Sequence, residues 1–174
     1  MWQVVNQKAI AHKTVFLRVN FDVPLARDTD LRSDYRIRAA LPTIDYLVYH
    51  RAKIILATHL GEPKRFDKSL STRHLVSILG RFIKARIFFA PKFDFLKLER
   101  SASELRPGEI LLLENLRFNK GEINNDLLFA KSLASLSEVY INDDFGTAHR
   151  SHASIVGLSK FLPSFAGFLL AKEV

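Results

Sequence analysis

At 174 residues, 48% of them hydrophobic and 14 of them phenylalanine, the chain is long enough to bury a substantial core and too apolar for a disordered tail. It has no cysteine, which excludes disulfides and thiolate metal ligation, and its net charge of +8 attracts phosphorylated metabolites, acidic partners or polyanions. No apolar run approaches the roughly 18 residues of a membrane span, and residues 1–8 lack a basic segment leading into an apolar one, so a soluble cytoplasmic protein with no membrane partner is expected.

The first apolar, β-rich run covers residues 14–21. Over 36–50, Ile37, Leu41, Ile44, Leu47 and Val48 recur at spacings of three and four, a helical face with Ser33 or Asp34 as its N-cap and Pro42 as a kink or a late start. A strand over 53–59 leads to a helix over 71–83, where Leu75, Ile78, Leu79 and Phe82 share a side. Next come a strand over 86–90, a shorter helix over 95–105, a strand over 109–115, and a helix over 124–136 that opens on Asn124 or Asn125. A fifth strand, 138–142, completes the series. Runs such as Ile54-Ile55-Leu56-Ala57 are apolar without alternation, as strands covered on both faces are. Strands alternating with helices give right-handed crossovers. The expected fold is therefore α/β, a three-layer α/β/α sandwich around a Rossmann-like, mostly parallel sheet, in one domain spanning 1–174.

In such sheets ligands sit beyond the strand C-terminal ends. Asn20 and Asp22 follow the first strand, and His59, Gly61, Glu62, Lys64 and Arg65 the second. Arg117 follows the fourth. After the fifth comes a polar run with Asp143, Asp144, Gly146, His149, Arg150 and His152, the strongest candidate for an anion site. Arginine suits a phosphate or carboxylate because its planar fork donates two parallel hydrogen bonds. A lone arginine after a strand is ordinarily a solvated charge, and His12, His50 and His74 read as structural or exposed. Recurrence at successive strand ends sets this group apart. No metal site is expected.

Six segments carry a family resemblance: 18–24 (Arg-Val-Asn-Phe-Asp-Val-Pro), 35–40 (Tyr-Arg-Ile-Arg-Ala-Ala), 58–63 (Thr-His-Leu-Gly-Glu-Pro), 112–118 (Leu-Leu-Glu-Asn-Leu-Arg-Phe), 140–152 and 166–174. In this order they resemble the N-terminal domain of phosphoglycerate kinases, which exchange a phosphoryl group between 1,3-bisphosphoglycerate and ADP. The resemblance implies a six-stranded parallel sheet and a basic patch that binds 3-phosphoglycerate. By position it implies Arg36 as the catalytic arginine that steadies the transferring phosphoryl group, and Asn20 and Asp22 as holding the glycerate hydroxyl and carboxyl end. His59, Arg117, His149 and Arg150 fall at substrate-binding or basic-patch positions, with Arg117 and Arg150 on the phosphate. Such chemistry asks the protein mainly for positioning and charge stabilisation.

The chain departs from the family pattern at three places. That pattern has Asp-Phe-Asn where Asn20-Phe21-Asp22 stands, arginine at Glu62 and a small residue at Asp144. Glu62 puts an anion where a phosphate-binding cation is expected and should repel the substrate phosphate, with Lys64 or Arg65 compensating. The family's nucleotide-binding C-terminal domain has no counterpart here, and neither G-x-x-x-x-G-K-[ST] nor G-x-G-x-x-G occurs. The chain is thus expected to carry no cofactor and to meet Mg-ATP or Mg-ADP only through a second domain. A separate nucleotide-binding domain, or self-association through an uncovered apolar face near 161–174, is the expected protein partner. The alternative is a non-catalytic relative that binds an anion or a protein. Nucleic acid is not an expected partner, because nothing resembles a recognition helix or an aromatic RNA platform.

Overall fold

The computed structural model describes residues 3–22 and 35–174. The proposed caps Ser33 and Asp34, and Val23 and Pro24 of the first motif, lie outside the described residues. Six strands form one sheet: β1 (Thr14–Val19), β2 (Lys53–Ala57), β3 (Ile87–Ala90), β4 (Ile110–Leu113), β5 (Val139–Asp143) and β6 (Ser164–Ala166). Their order is β3-β4-β2-β1-β5-β6, and every neighbouring pair is parallel. The α-helices are α1 (Gln7–Ile10), α2 (Tyr35–Tyr49), α3 (Leu75–Leu79), α4 (Phe95–Glu104), α5 (Lys120–Ile123), α6 (Leu127–Ala134) and α7 (Phe168–Glu173).

Side chains alternate across a strand, so each strand feeds two cores. Val15, Leu17, Val19, Ile54, Leu56, Ile110, Leu112, Val139 and Ile141 pack with Ile37, Ile44 and Leu47 of α2 and Leu75 and Leu79 of α3. On the other face Phe16, Ile55, Leu111, Leu113 and Tyr140 meet Leu98 of α4 and Phe129 and Leu133 of α6. Each fully buried Leu, Ile or Phe contributes about 1.5–3 kcal/mol of transfer free energy. The expected three-layer α/β/α architecture is what the chain adopts. Among the described residues, no helix is long and apolar enough to cross a membrane.

Several boundaries differ from the sequence expectation, each for a local reason. The helix expected over 71–83 shrinks to α3 because the segment's start is drawn to the end of β4. Ser71 Oγ donates to Glu114 Oε2 at 2.7 Å and Thr72 Oγ1 to the Leu113 carbonyl at 2.7 Å, which leaves a 3₁₀ turn over Thr72–His74. The helix expected from Asn124 begins at Leu127, capped by Asp126, whose Oδ1 accepts from Phe129 N at 2.7 Å. Asn124 instead closes α5, and Asn125 makes a left-handed turn with φ 49° between the two helices. Pro42 lies inside α2, which continues through it to Tyr49, so it does not mark a late start.

The residue pattern showed five strands; the family resemblance implied the sixth. β6 is only three residues long, between Pro163 and Gly167, too short for a period to register. The segment 161–174, where an uncovered apolar face is expected, is packed in part. That segment supplies β6 and α7, buries Ala166 and Leu170, and sets the Phe168 ring 5.0 Å from Tyr46. Of its large apolar side chains, Phe161 and Val174 are the exposed ones.

Candidate functional site

All strands point the same way, so the loops after β1, β2, β4 and β5 meet at one edge. Connections from β1 run toward β2 on one side and those from β5 toward β6 on the other, which makes the β1/β5 boundary the topological switch. Below that boundary lies a buried charge. Arg18, on β1, is 0% exposed. Its Nη1 pairs with Asp144 Oδ2 at 3.0 Å, its Nε donates to Ser154 Oγ at 3.0 Å, and its Nη2 lies 2.8 Å from His59 Nδ1. Ser154 passes the polarity on, donating from Oγ to Glu122 Oε1 at 2.6 Å and from its backbone N to Oε2 at 2.9 Å. Burial pushes the Glu122 carboxyl up, while Arg18 and the Ser154 donors oppose the shift. A guanidinium only donates, so His59 Nδ1 accepts, and the neutral ring carries its proton on Nε2, 3.8 Å from Asp22 Oδ2.

Burial, then Arg18, Arg117, His152 and Arg150, hold His59 far below the ordinary imidazole range. Burial, followed by Arg117, Arg18 and Arg150, brings His152 down to about 4. Both rings are neutral at pH 7, and the positive charge of the site is carried by arginines.

Two hollows open on this layer. The first, about 250 Å³, lies at the switch point and includes Asn20, Tyr35, Arg36, Phe145 and Gly146 in its lining. Asn20 is held at both ends of its amide: Nδ2 donates to Asp144 Oδ1 at 2.9 Å and Oδ1 accepts from Arg36 Nη1 at 2.8 Å. The exchange of Asn and Asp in the first motif thus has a local reason, since a carboxylate at position 20 would face Asp144. Gly146 is required by space: a Cβ there would lie 2.7 Å from Asn20 Nδ2.

The second hollow, about 630 Å³, is lined by Glu62, Lys64, Arg65, Arg117, Lys120, Arg150 and His152, with Phe118 and Ile123 at its apolar side. Gly61 builds its corner. With φ 58° it adopts the left-handed conformation that favours glycine, so that its N–H donates to Asp22 Oδ1 at 2.7 Å and its carbonyl accepts from Arg117 Nη1 at 2.6 Å. Arg117 is buried, and that burial lowers its pKa, with Glu62 acting in the opposite direction. Glu62 Oε1 accepts from Arg150 Nη1 at 3.1 Å and from Arg117 Nη1 at 3.4 Å.

Arg36, Asn20 and Asp22 are therefore grouped near the switch, and Arg117, Arg150, Glu62, Lys64 and Arg65 around the larger hollow. His59 lies beneath, between Arg18 and Asp22. His149 is exposed on the turn after Phe145–Thr147 and lines neither hollow. Arg18, Glu122 and Ser154 are not among the residues that the sequence singles out as a site, and Asp144 stands there both in the candidate anion run and as a departure from the family pattern. A lone charge inside the apolar run Val15-Phe16-Leu17-Arg18-Val19 was the available signal.

Residues 5–174 match the family model described as phosphoglycerate kinase. The chain belongs to the phosphoglycerate kinase family. It is 46% identical over 171 residues to the phosphoglycerate kinase of Coprothermobacter proteolyticus, covering 98% of this chain and 44% of that protein. It is 50% identical to that of Moorella thermoacetica, covering 94% and 42%. The phosphoglycerate kinase structure from Coxiella burnetii superposes with a TM-score of 0.86 at 32% identity, over 100% of this chain and 43% of that one. The chain spans less than half the length of these phosphoglycerate kinases.

The contact between Asn20 and Asp144 makes a prediction. Asn20→Asp is expected to lower the unfolding free energy at pH 7 by about 1–3 kcal/mol, since a donor is lost and two carboxylates meet. Denaturant unfolding should show that deficit shrinking as pH falls and the carboxylates share a proton; a deficit independent of pH would contradict it. The histidines make another. Unfolded imidazoles bind protons below about 6.5, which folded His152 refuses until about 4 and folded His59 until lower still, so stability is lost as pH falls through this window. His59→Asn, which keeps an acceptor toward Arg18 and removes a titrating ring, should flatten the loss between pH 6.5 and 4. An unchanged slope would exclude His59 as a contributor.

Proposed function

We propose that this chain supplies the 3-phosphoglycerate-binding half of a phosphoglycerate kinase, for phosphoryl transfer between 1,3-bisphosphoglycerate and ADP in glycolysis. One observation carries the reading: Arg117 and Arg150, from loops after different strands, converge on a single carboxylate oxygen, that of Glu62. Two guanidiniums around one anionic oxygen are the arrangement a phosphate monoester needs. In this reading the phosphate lies on Arg117 and Arg150. Asn20, Asp22 and the His59 Nε2–H take the glycerate end, and Arg36 stands over the switch to meet the charge that develops on the transferring group. His149, exposed and outside both hollows, is given no direct contact.

The nucleotide is assigned to the part of the family's length that this chain does not match. Among the described residues, no three His, Asp or Glu side chains gather as metal ligands. A soluble cytoplasmic setting and a nucleotide-binding partner domain accompany this reading.

Isothermal titration with 3-phosphoglycerate is expected to show binding that Arg117→Ala and Arg150→Ala each weaken about tenfold or more, the loss of a charge-assisted hydrogen bond. A folded protein that takes up no 3-phosphoglycerate at millimolar concentration would overturn the substrate assignment and favour the non-catalytic alternative.

A further inference from the structure

We infer that Glu62 is an internal competitor for the anion subsite: its carboxylate occupies the place of a ligand's phosphate oxygen between Arg117 and Arg150, and an anion binds by exchange with it. The inference rests on the assignment of those two arginines to the ligand, and goes beyond it by giving the pair a carboxylate that an anion must replace and the site a threshold of charge.

The geometry separates fixed from movable parts. Arg117 is only 4% exposed in its side chain and is anchored by the Gly61 carbonyl at 2.6 Å, so its guanidinium stays where it is. Glu62 is 71% exposed, and its side-chain hydrogen bonds among the described residues are those to the two guanidiniums. Its neighbour Gly61 is held by hydrogen bonds to Asp22 and Arg117 and Pro63 has a fixed φ, so Glu62 leaves by side-chain rotation into solvent, releasing only its contacts with the two guanidiniums. Arg150, 41% exposed, can turn with whichever anion it holds.

The contact works in both directions. Without ligand, the carboxylate keeps two guanidiniums from repelling each other across a partly buried cleft. With ligand, it must go, because its charge would face the phosphate. A dianionic phosphate brings more charge than the single carboxylate it replaces and wins the exchange; a monocarboxylate brings no advantage and does not. The displaced side chain remains beside Lys64 and Arg65, which line the same hollow, so its charge is not stranded. The expected repulsion between Glu62 and substrate therefore takes the form of competition for the same donors, which costs affinity without closing the site.

The test compares the wild-type chain with Glu62→Gln by titration calorimetry at pH 7.5, using 3-phosphoglycerate and inorganic phosphate as separate probes. Exposed ion pairs are individually weak, so Glu62→Gln is expected to tighten each anion by about three- to tenfold. A second readout is independent of folding yield: without anion Glu62→Gln should melt below the wild type, and saturating inorganic phosphate should raise its melting point by more than the wild type's. If Glu62→Gln binds both anions as the wild type does, or more weakly, the competitor role is overturned while the substrate reading stands. If inorganic phosphate tightens but 3-phosphoglycerate binds neither protein, the competitor role is upheld and the substrate reading falls. Failure of both proteins to bind either anion overturns both.

Discussion

A guanidinium enclosed in the middle of a parallel sheet must be neutralised on the spot, and around Arg18 that requirement determines how the loops of the site are arranged. Arg18 has no exposure to solvent, and its partners come from the chain itself: Asp144 just beyond β5, His59 beyond β2, and Ser154 with Glu122 behind it. Leaving either charge of such a buried group without its partner costs about 3–5 kcal/mol. Strand-end loops that would otherwise be the most variable parts of the molecule are thus tied to one side chain on the central strand. Tyr140 joins the same layer, its hydroxyl donating to the Ser154 carbonyl at 2.8 Å.

On this floor the molecule stacks two kinds of positive charge. Arg18 and Arg117 are buried and anchored by the chain, and burial first, then these charges, keeps His59 and His152 neutral. Arg36 and Arg150 are the outer cations, the first facing the switch-point hollow and the second the larger cleft. The neutral state of His59 matters because a protonated ring would lose its acceptor toward Arg18. The site thus keeps its hydrogen-bond polarity constant across neutral pH, and its positive charge sits on arginines, which do not titrate there. Gly61 links the two layers, its N–H on Asp22 and its carbonyl on Arg117.

Much of this was legible in the sequence because parallel strands covered on both faces read as continuous apolar runs, and β1, β2, β4 and β5 all carry one. The clustering of polar and charged residues at their ends was equally legible, since topology alone brings those ends together. What the sequence concealed depends on contacts between distant residues. Helix α3 is short because Ser71 and Thr72 bond to Glu114 and Leu113 across more than 40 positions, which no local period encodes. Glu122 gave no sign of being buried, because its partner Ser154 lies 32 residues away. Asp144 departs from the family pattern, and its reason lies in Arg18 and Asn20, both more than 120 residues away in the chain.

The claim that Arg18 organises the strand-end loops is tested most directly by amide hydrogen exchange on Arg18→Met. The account predicts that residues 59–62, 120–123 and 142–154 lose protection together, while β3 and β4, at the far edge of the sheet, keep theirs. Wild-type protection in those loops, or an equal loss across the whole sheet, would contradict it.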